Sequence, residues 1–478
     1  MPRRLAVLVA ILFAFLGAGF AILPARAQSA PPQPDLSTLS AEATGWLQGL
    51  IRINTTNPPG NELAAAKYVA GILQQNGISA DIYESAPGRG ILIARLSSSA
   101  VPDPSRALLL MAHLDVVGVD RSKWQEDPFG GVIENGYLYG RGAIDDKSTV
   151  IANTAILVAL KRANVRLARD VIMLAEGDEE QGGEFGMQFA IKNHWEKIAA
   201  GFAINEEGRV IVKDGKVQYI GVQAAEKVPV NVTVIATGTS GHASVPLADN
   251  AVVRLANAVS KIAAYQTPFQ LTPVTESYFE QLSAAEDDEI GKWMRALEMP
   301  SRADLAEGKI SQASPIWNSM MRDTISPTML SAGVRANVIP SEARATLNVR
   351  LLPGNSIDAL LAKLRQVVDD PQVRFETDTT IGEAAPSSSL DSDLYMTIQQ
   401  ATNEEFPGAV VAPMMSTGAT DSAFLRLRNV QAYGLLPFPL TEDDILRMHA
   451  DNERIPVASF QKGIEFLYRI VTDFAAAK

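Results

Sequence analysis

The chain has 478 residues, 47% of them apolar and 20% charged, with a formal net charge of -12 and no cysteine. That length accommodates two domains and a sizeable core, while the acidic balance argues against nucleic acid and anionic lipid as partners. Without cysteine there are no disulfides, so an exported chain must be stable through its packed core.

In chain order the first expected element is a leader. Residues 5–23 are almost wholly apolar, follow Arg3 and Arg4, and lead into Ala25-Arg26-Ala27. Basic start, apolar run and small-x-small site together describe a secretory signal peptide cleaved after Ala27. The apolar run also approaches spanning length, so a retained membrane anchor is the alternative. Cleavage removes three Arg and no acid, takes the net charge from -12 to -15, and implies a secreted or periplasmic protein free of the membrane. Residues 28–39 read as a Pro-rich exposed lead-in. From Ser40 an amphipathic helix is expected, with Trp46, Leu47, Leu50 and Ile51 on one face. Asn57-Pro58-Pro59-Gly60 is a turn, and a second helix follows over 62–75.

Short apolar runs at 91–96, 107–111, 171–175 and 202–204 have the character of buried strands, and helices at 149–161 and 186–198 separate them. This alternation predicts an α/β fold whose mostly parallel sheet carries helices on both faces. Near Glu226 the pattern changes. Val228–Thr237 alternates like an antiparallel strand, a helix follows at 248–264, then strands at 332–340 and 343–351, a helix at 356–368 and a last strand at Val373–Thr377. That β-α-β-β-α-β order describes a small α+β (ferredoxin-like) insert. Residues 270–328 interrupt it with a polar, helical excursion that has no place in the order. The expected organisation is a catalytic domain over 40–225 and 381–478, interrupted by a lid over 226–380.

The motifs carrying chemistry sit just beyond the strands, where open α/β sheets place their sites. His113 and Asp115 follow the run Ala107-Leu-Leu-Leu-Met111, and residues two apart on a strand end point the same way. Asp115 can therefore accept from the His113 ring and leave the other nitrogen for a metal. Asp145 follows Gly140-Arg141-Gly142, and its two oxygens can bridge metals about 3.5 Å apart. Glu179 and Glu180 end the next strand; adjacent residues point apart, so one can bind metal while its neighbour faces the reacting water. Glu206 and Glu207 offer the same choice. Each motif alone also describes a solvated loop, but three of only four histidines, His113, His242 and His449, fall inside such motifs. His194 has helical context and reads as structural.

Together these motifs resemble the co-catalytic zinc family that contains aminoacylase, acetylornithine deacetylase, succinyl-diaminopimelate desuccinylase and glutamate carboxypeptidase. The leader, the long insert and Met448-His449-x-x-Asn452-Glu453-Arg454 are most similar to Gly-Xaa carboxypeptidases and secreted N-acyl-amino-acid hydrolases. The resemblance covers essentially all of residues 40–475. It implies two Zn²⁺, with Co²⁺ or Mn²⁺ able to share the same ligands. His113 and Glu207 would hold one cation, Glu180 and His449 the other, and Asp145 would bridge them, with a cis peptide to Asp146. Relatives have Asp-Glu-Gly where this chain has Glu206-Glu207-Gly208, so Glu206 is the alternative ligand. Glu179 would be the general base and Asp115 the residue orienting His113. His242 would donate to the scissile carbonyl oxygen and Asn337 would be a second oxygen-binding residue. Arg350 would clamp the substrate carboxylate, and Gly418 would lie on a substrate-facing loop. The implied substrate is a short peptide or an N-acyl amino acid, and a homodimer through the lid is part of the same expectation. A non-catalytic periplasmic binding protein on this fold is the competing class.

Overall fold

The computed structural model of the protein describes residues 34–286, 289–377 and 384–477. The expected leader, and the lead-in up to residue 33, lie outside them. Among the described residues no helix is long and apolar enough to cross a membrane. The first helix begins earlier than its hydrophobic pattern implies, at Leu36 rather than Ser40, because Asp35 caps it by accepting from the Thr38 N–H at 3.0 Å.

A ten-stranded mixed sheet forms the centre of the molecule. Strands Val171–Glu176, Leu108–His113, Phe202–Asn205 and Gln431–Gly434 lie side by side and parallel. The sheet is antiparallel at one edge, where Ala80–Ala86 pairs with Arg89–Leu96, which in turn pairs antiparallel with Val171–Glu176. Every residue of Leu108–His113 and Val171–Glu176 is buried, as expected for strands covered on both faces. One cover is the helix Lys147–Arg162, which is buried continuously from Lys147 to Leu160 and packed by Leu36–Ile51 and Val457–Ala475. Parallel strands end at one edge of the sheet, so His113, Glu176 and Asn205 deliver the chain to the same rim.

A second hydrophobic core lies beneath a four-stranded antiparallel sheet in the order Thr324–Ala332, Glu342–Leu351, Val228–Thr237, Val373–Thr377. Helices Ala251–Ala264 and Ile357–Val368 cover one face, where Val232, Val234, Leu347 and Val349 are buried. The element order is the one expected, but the second strand is displaced. It runs over Thr324–Ala332 and ends where the sequence pattern began it. Residues 333–337 are a turn with Gly333 at φ 67, and Val338–Ile339 pairs separately with Gly241–His242. The apolar residues Val334 and Val338 simulate strand alternation, yet both are exposed.

The excursion at 270–328 contributes the helices Pro273–Ala285, Glu289–Ala296, Ala303–Ala313 and Pro315–Met320. They join the core of the large sheet, where Tyr278, Phe279, Leu282 and Met294 are buried. Lys227, where the chain leaves the large sheet, donates to the carbonyls of Ser319 (3.0 Å) and Arg322 (2.9 Å) and ties the excursion to that crossing. Phe279→Ala is therefore expected to lower stability to chemical denaturation by about 3–5 kcal/mol. An unchanged midpoint would show that these helices do not share the main core.

Candidate metal centre

Four loops at the rim of the parallel strands bring acids and imidazoles together. Asp145 is central: its Oδ1 lies 2.9 Å from His113 Nε2 and its Oδ2 lies 3.0 Å from His449 Nε2. His449 Nε2 also lies 3.0 Å from Glu180 Oε1. His113 Nε2 lies 3.4 Å from Glu206 Oε2. Ligand-type atoms of His113, Asp145 and Glu180 fall within 4.8 Å of one another, as do those of His113, Glu179 and Glu206. One carboxylate thus spans two imidazoles, each with a further carboxylate beside it, and Glu179 is left over within the same cluster.

The geometry separates the two adjacent acids. Glu206 reaches His113, whereas Glu207 turns away and accepts from the Ser416 hydroxyl at 2.7 Å. Glu207 adopts φ 69, and this left-handed turn at the strand end aims the two neighbours in different directions. Sequence order does not reveal which neighbour takes that conformation. Asp178 (φ 72) and His449 (φ 61) are also left-handed, so three non-glycine residues at or beside the cluster hold unfavourable backbone.

Asp115 orients the cluster from below, by a different contact than expected. The His113 Nδ1 lies 3.0 Å from the Asp115 backbone carbonyl, with the carboxylate farther off at 3.5 Å. The carboxylate instead accepts from the N–H groups of Glu179 (3.2 Å) and Glu180 (3.3 Å) and from Asn57 Nδ2 (2.9 Å). Asn57 also donates to Asp178, which accepts from Arg89, itself paired with Glu62. The loop bearing Glu179 and Glu180 is therefore fixed from the first helical layer.

Two further residues escaped the sequence reading. Glu453 is fully buried and accepts from the N–H groups of Gly142 (3.2 Å), Ile144 (2.8 Å) and Asp145 (3.1 Å). It also pairs with Arg141 at 2.6 Å, and Arg141 donates to the His449 carbonyl at 3.2 Å. Glu453 and Arg141 thus hold the two ligand loops to each other. Their signal was proximity to His449 and Asp145 in sequence, but two charges 312 residues apart carry no mark of pairing. The Asp145–Asp146 peptide is cis, as the resemblance implies.

Electrostatics show how tightly the acids of the cluster are crowded. Burial pushes the Glu206 carboxyl up to about 7, and burial followed by the Glu206 charge pushes Glu179 well above the usual carboxylate range. Burial alone would lower the His113 imidazole, but Glu206, Asp115 and Asp145 outweigh it and raise it well above its ordinary value. Hydrogen bonds donated to the Asp145 and Glu180 carboxylates raise His449 to about 10. Burial opposes ionisation of Asp145, yet the two imidazoles hold it far below normal. Divalent cations would relieve the same crowding, and an N/O donor set of two histidines and carboxylates suits zinc.

The remaining expected site residues lie elsewhere. His242 is exposed on the small sheet's side, and among the described residues its ring hydrogen-bonds only to Ser244. Asn337 is exposed beside it, its carbonyl accepting from Ala243 at 3.0 Å. Arg350 is half-buried on Glu342–Leu351, with Nε donating to Asn348 at 3.1 Å. Gly418 donates its N–H to Ser416 Oγ at 3.0 Å, and Ser416 in turn donates to Glu207. Among the described residues none of these four is hydrogen-bonded to His113 or His449.

A carboxylate shared by two imidazoles, with a further carboxylate alongside, is a donor set suited to metal-dependent hydrolysis of amide bonds. The chain belongs to peptidase family M20/M25/M40, whose sequence profile matches residues 109–473. It is 29% identical to the human N-fatty-acyl-amino acid synthase/hydrolase PM20D1 over 77% of this chain and 74% of that protein. It is 26% identical to rat aminoacylase-1B over 89% of this chain and 93% of that protein. Its fold matches the M20 family metallo-carboxypeptidase Sso-CP2 from Sulfolobus solfataricus with a TM-score of 0.69, at 21% identity, over 91% of this chain and 99% of that one. It is thus a metallopeptidase or amidohydrolase by family.

If Glu453 sets the Asp145 loop, Glu453→Gln should weaken divalent cation binding about 10–100-fold. Competition with a chromogenic chelator measures this, and native affinity in the variant would remove Glu453 from the account.

Proposed function

We propose that the protein hydrolyses an amide or peptide bond next to a terminal carboxylate, with short peptides and N-acyl amino acids as the candidate substrates. The observation carrying this reading is the Asp145 carboxylate set between His113 and His449, with Glu179 in reach and committed to neither imidazole. His113 and Glu206 would hold one cation, His449 and Glu180 the other, and Asp145 both. Zinc is the proposed metal, and cobalt or manganese could occupy the same donors. Bound there, the cation pair supplies Lewis-acid polarisation of the carbonyl and lowers the pKa of water.

Glu179 takes the proton of the attacking water and delivers it to the nitrogen as the C–N bond breaks. Asp115 keeps Glu179 in place by accepting its backbone N–H. The small sheet and its two helices, acting as a lid without the excursion that packs on the main core, supply the groups that touch substrate. In His242, Nδ1 accepts from the Ser244 N–H, so Nε2 carries the proton and can donate to the developing oxyanion. Arg350 presents a guanidinium suited to a carboxylate, and Asn337 stands beside His242 as a second donor.

Because His242 does not reach the imidazoles of its own chain, the site is completed by lid closure or by a second copy. The homodimer is favoured by the edge strand Thr324–Ala332, which leaves Met329 and Leu330 67% and 69% exposed, next to Val334 at 94%. Secretion to the periplasm or beyond remains the reading of the leader.

Glu179→Gln should retain two metal equivalents by mass spectrometry yet lose at least about 10²-fold in kcat. Near-native turnover would refute the base assignment. Mixing Glu179→Gln with His242→Ala under exchange conditions should restore about a quarter of native activity if His242 serves the partner's site in a two-fold dimer. No recovery in a proven mixed dimer would leave closure within one chain.

A further inference from the structure

The two imidazoles of the cluster are mounted differently. His113 ends a buried strand, its side chain is 2% exposed, and its Nδ1 is held at 3.0 Å from the Asp115 carbonyl. His449 rides on an irregular turn between the short helix Glu442–Ile445 and the strand Arg454–Pro456, and its side chain is 51% exposed. Within that turn both His449 and Asn452 hold left-handed backbone, at φ 61 and φ 59. Such conformations cost a non-glycine residue free energy and persist only where surrounding contacts hold them. The support has to come from outside the turn.

It comes from a strap over residues 120–131. Asn452 spreads its amide across the strap backbone: Oδ1 accepts from the Gln125 N–H at 2.7 Å, and Nδ2 donates to the Lys123 carbonyl at 3.3 Å. Trp124, the residue between those two, is 5% exposed and lies with its ring beneath the Arg141 guanidinium, whose carbon is 5.3 Å from the ring centroid. Arg141 is the residue that donates to the His449 carbonyl and pairs with Glu453. The tripeptide 123–125 thus grips the His449 turn twice, directly through Asn452 and indirectly through Arg141. The strap is anchored in turn on the first helix, where Gln48 Nε2 donates to the Gly131 carbonyl at 2.8 Å and Arg52 Nε to the Gly130 carbonyl at 3.1 Å. Both hydrogen bonds of Asn452 are open to water, so they add little to stability; what they fix is the direction of the turn.

We propose that Asn452 and Trp124 are positioning residues for the cation position of His449 and Glu180, and that the strap aims this imidazole without itself touching metal or substrate. The proposal rests on the metal-centre reading above and adds the residues that tune one half of it.

Asn452→Gly is the decisive variant, because glycine keeps the left-handed backbone and removes only the amide. Zn²⁺ titration of the whole protein in competition with a chromogenic chelator reads the effect. Native protein should bind two equivalents. Asn452→Gly should bind one with native affinity and the other about 10–100-fold more weakly, and Trp124→Leu should do the same by removing the ring beneath Arg141. Placed on a His449→Ala background, Asn452→Gly should leave the remaining equivalent within about twofold of that background, since its target is already gone. Two equivalents at native affinity in Asn452→Gly, or equal weakening of both, would overturn the role of the strap and leave the metal centre standing. A native protein that fails to bind two equivalents would overturn both.

Discussion

Mutual repulsion among buried carboxylates governs the rest of the molecule. Asp115, Asp145, Asp146, Glu179, Glu180 and Glu206 crowd around two imidazoles, and burial alone pushes several of them toward the protonated form. No packing preference assembles such a group; it persists only because surrounding structure over-determines each position. Glu453 and Arg141 clamp one ligand loop, while Glu62, Arg89, Asp178 and Asn57 brace another. The left-handed backbone at Asp178, Glu207 and His449 belongs to the same tension, since each aims a side chain that a relaxed loop would release. A divalent cation pair answers that repulsion directly, which links the stability of the rim to its chemistry.

The parallel strands explain why the cluster forms at all. Leu108–His113, Val171–Glu176 and Phe202–Asn205 lie in register, so the residues just beyond them leave the sheet within one hydrogen-bonded neighbourhood. His449 arrives from the far end of the chain, held by the Arg141 contact to its carbonyl and by the pairing of Arg454–Pro456 with Tyr137–Tyr139. The large sheet carries the paired imidazoles and their acids, and a separate small sheet with its own core carries His242, Asn337 and Arg350.

Much of this was legible in the residues. Strong periodicity placed the buried strands and most helices to within a few residues, because continuous apolar runs have few other fates. Weaker signals misled where local pattern and tertiary context disagree. Val334 and Val338 imitate a strand that the turn at Gly333 interrupts. The polar helices of the excursion hide buried Tyr278 and Phe279 among charges, so their attachment to the main core could not be read from composition.

The sequence by itself determined which side chains are available for chemistry: two motif histidines and a set of acids placed directly after strands, in a chain without cysteine. That followed from residue identity and spacing, which survive any folding detail. Only the tertiary structure decided that Glu206 rather than Glu207 turns inward, that Glu453 and Asn57 hold the loops, and that a strap at 120–131 grips the turn bearing His449. Those outcomes depend on backbone conformation at single residues and on contacts between segments hundreds of positions apart, and neither leaves a trace in local sequence.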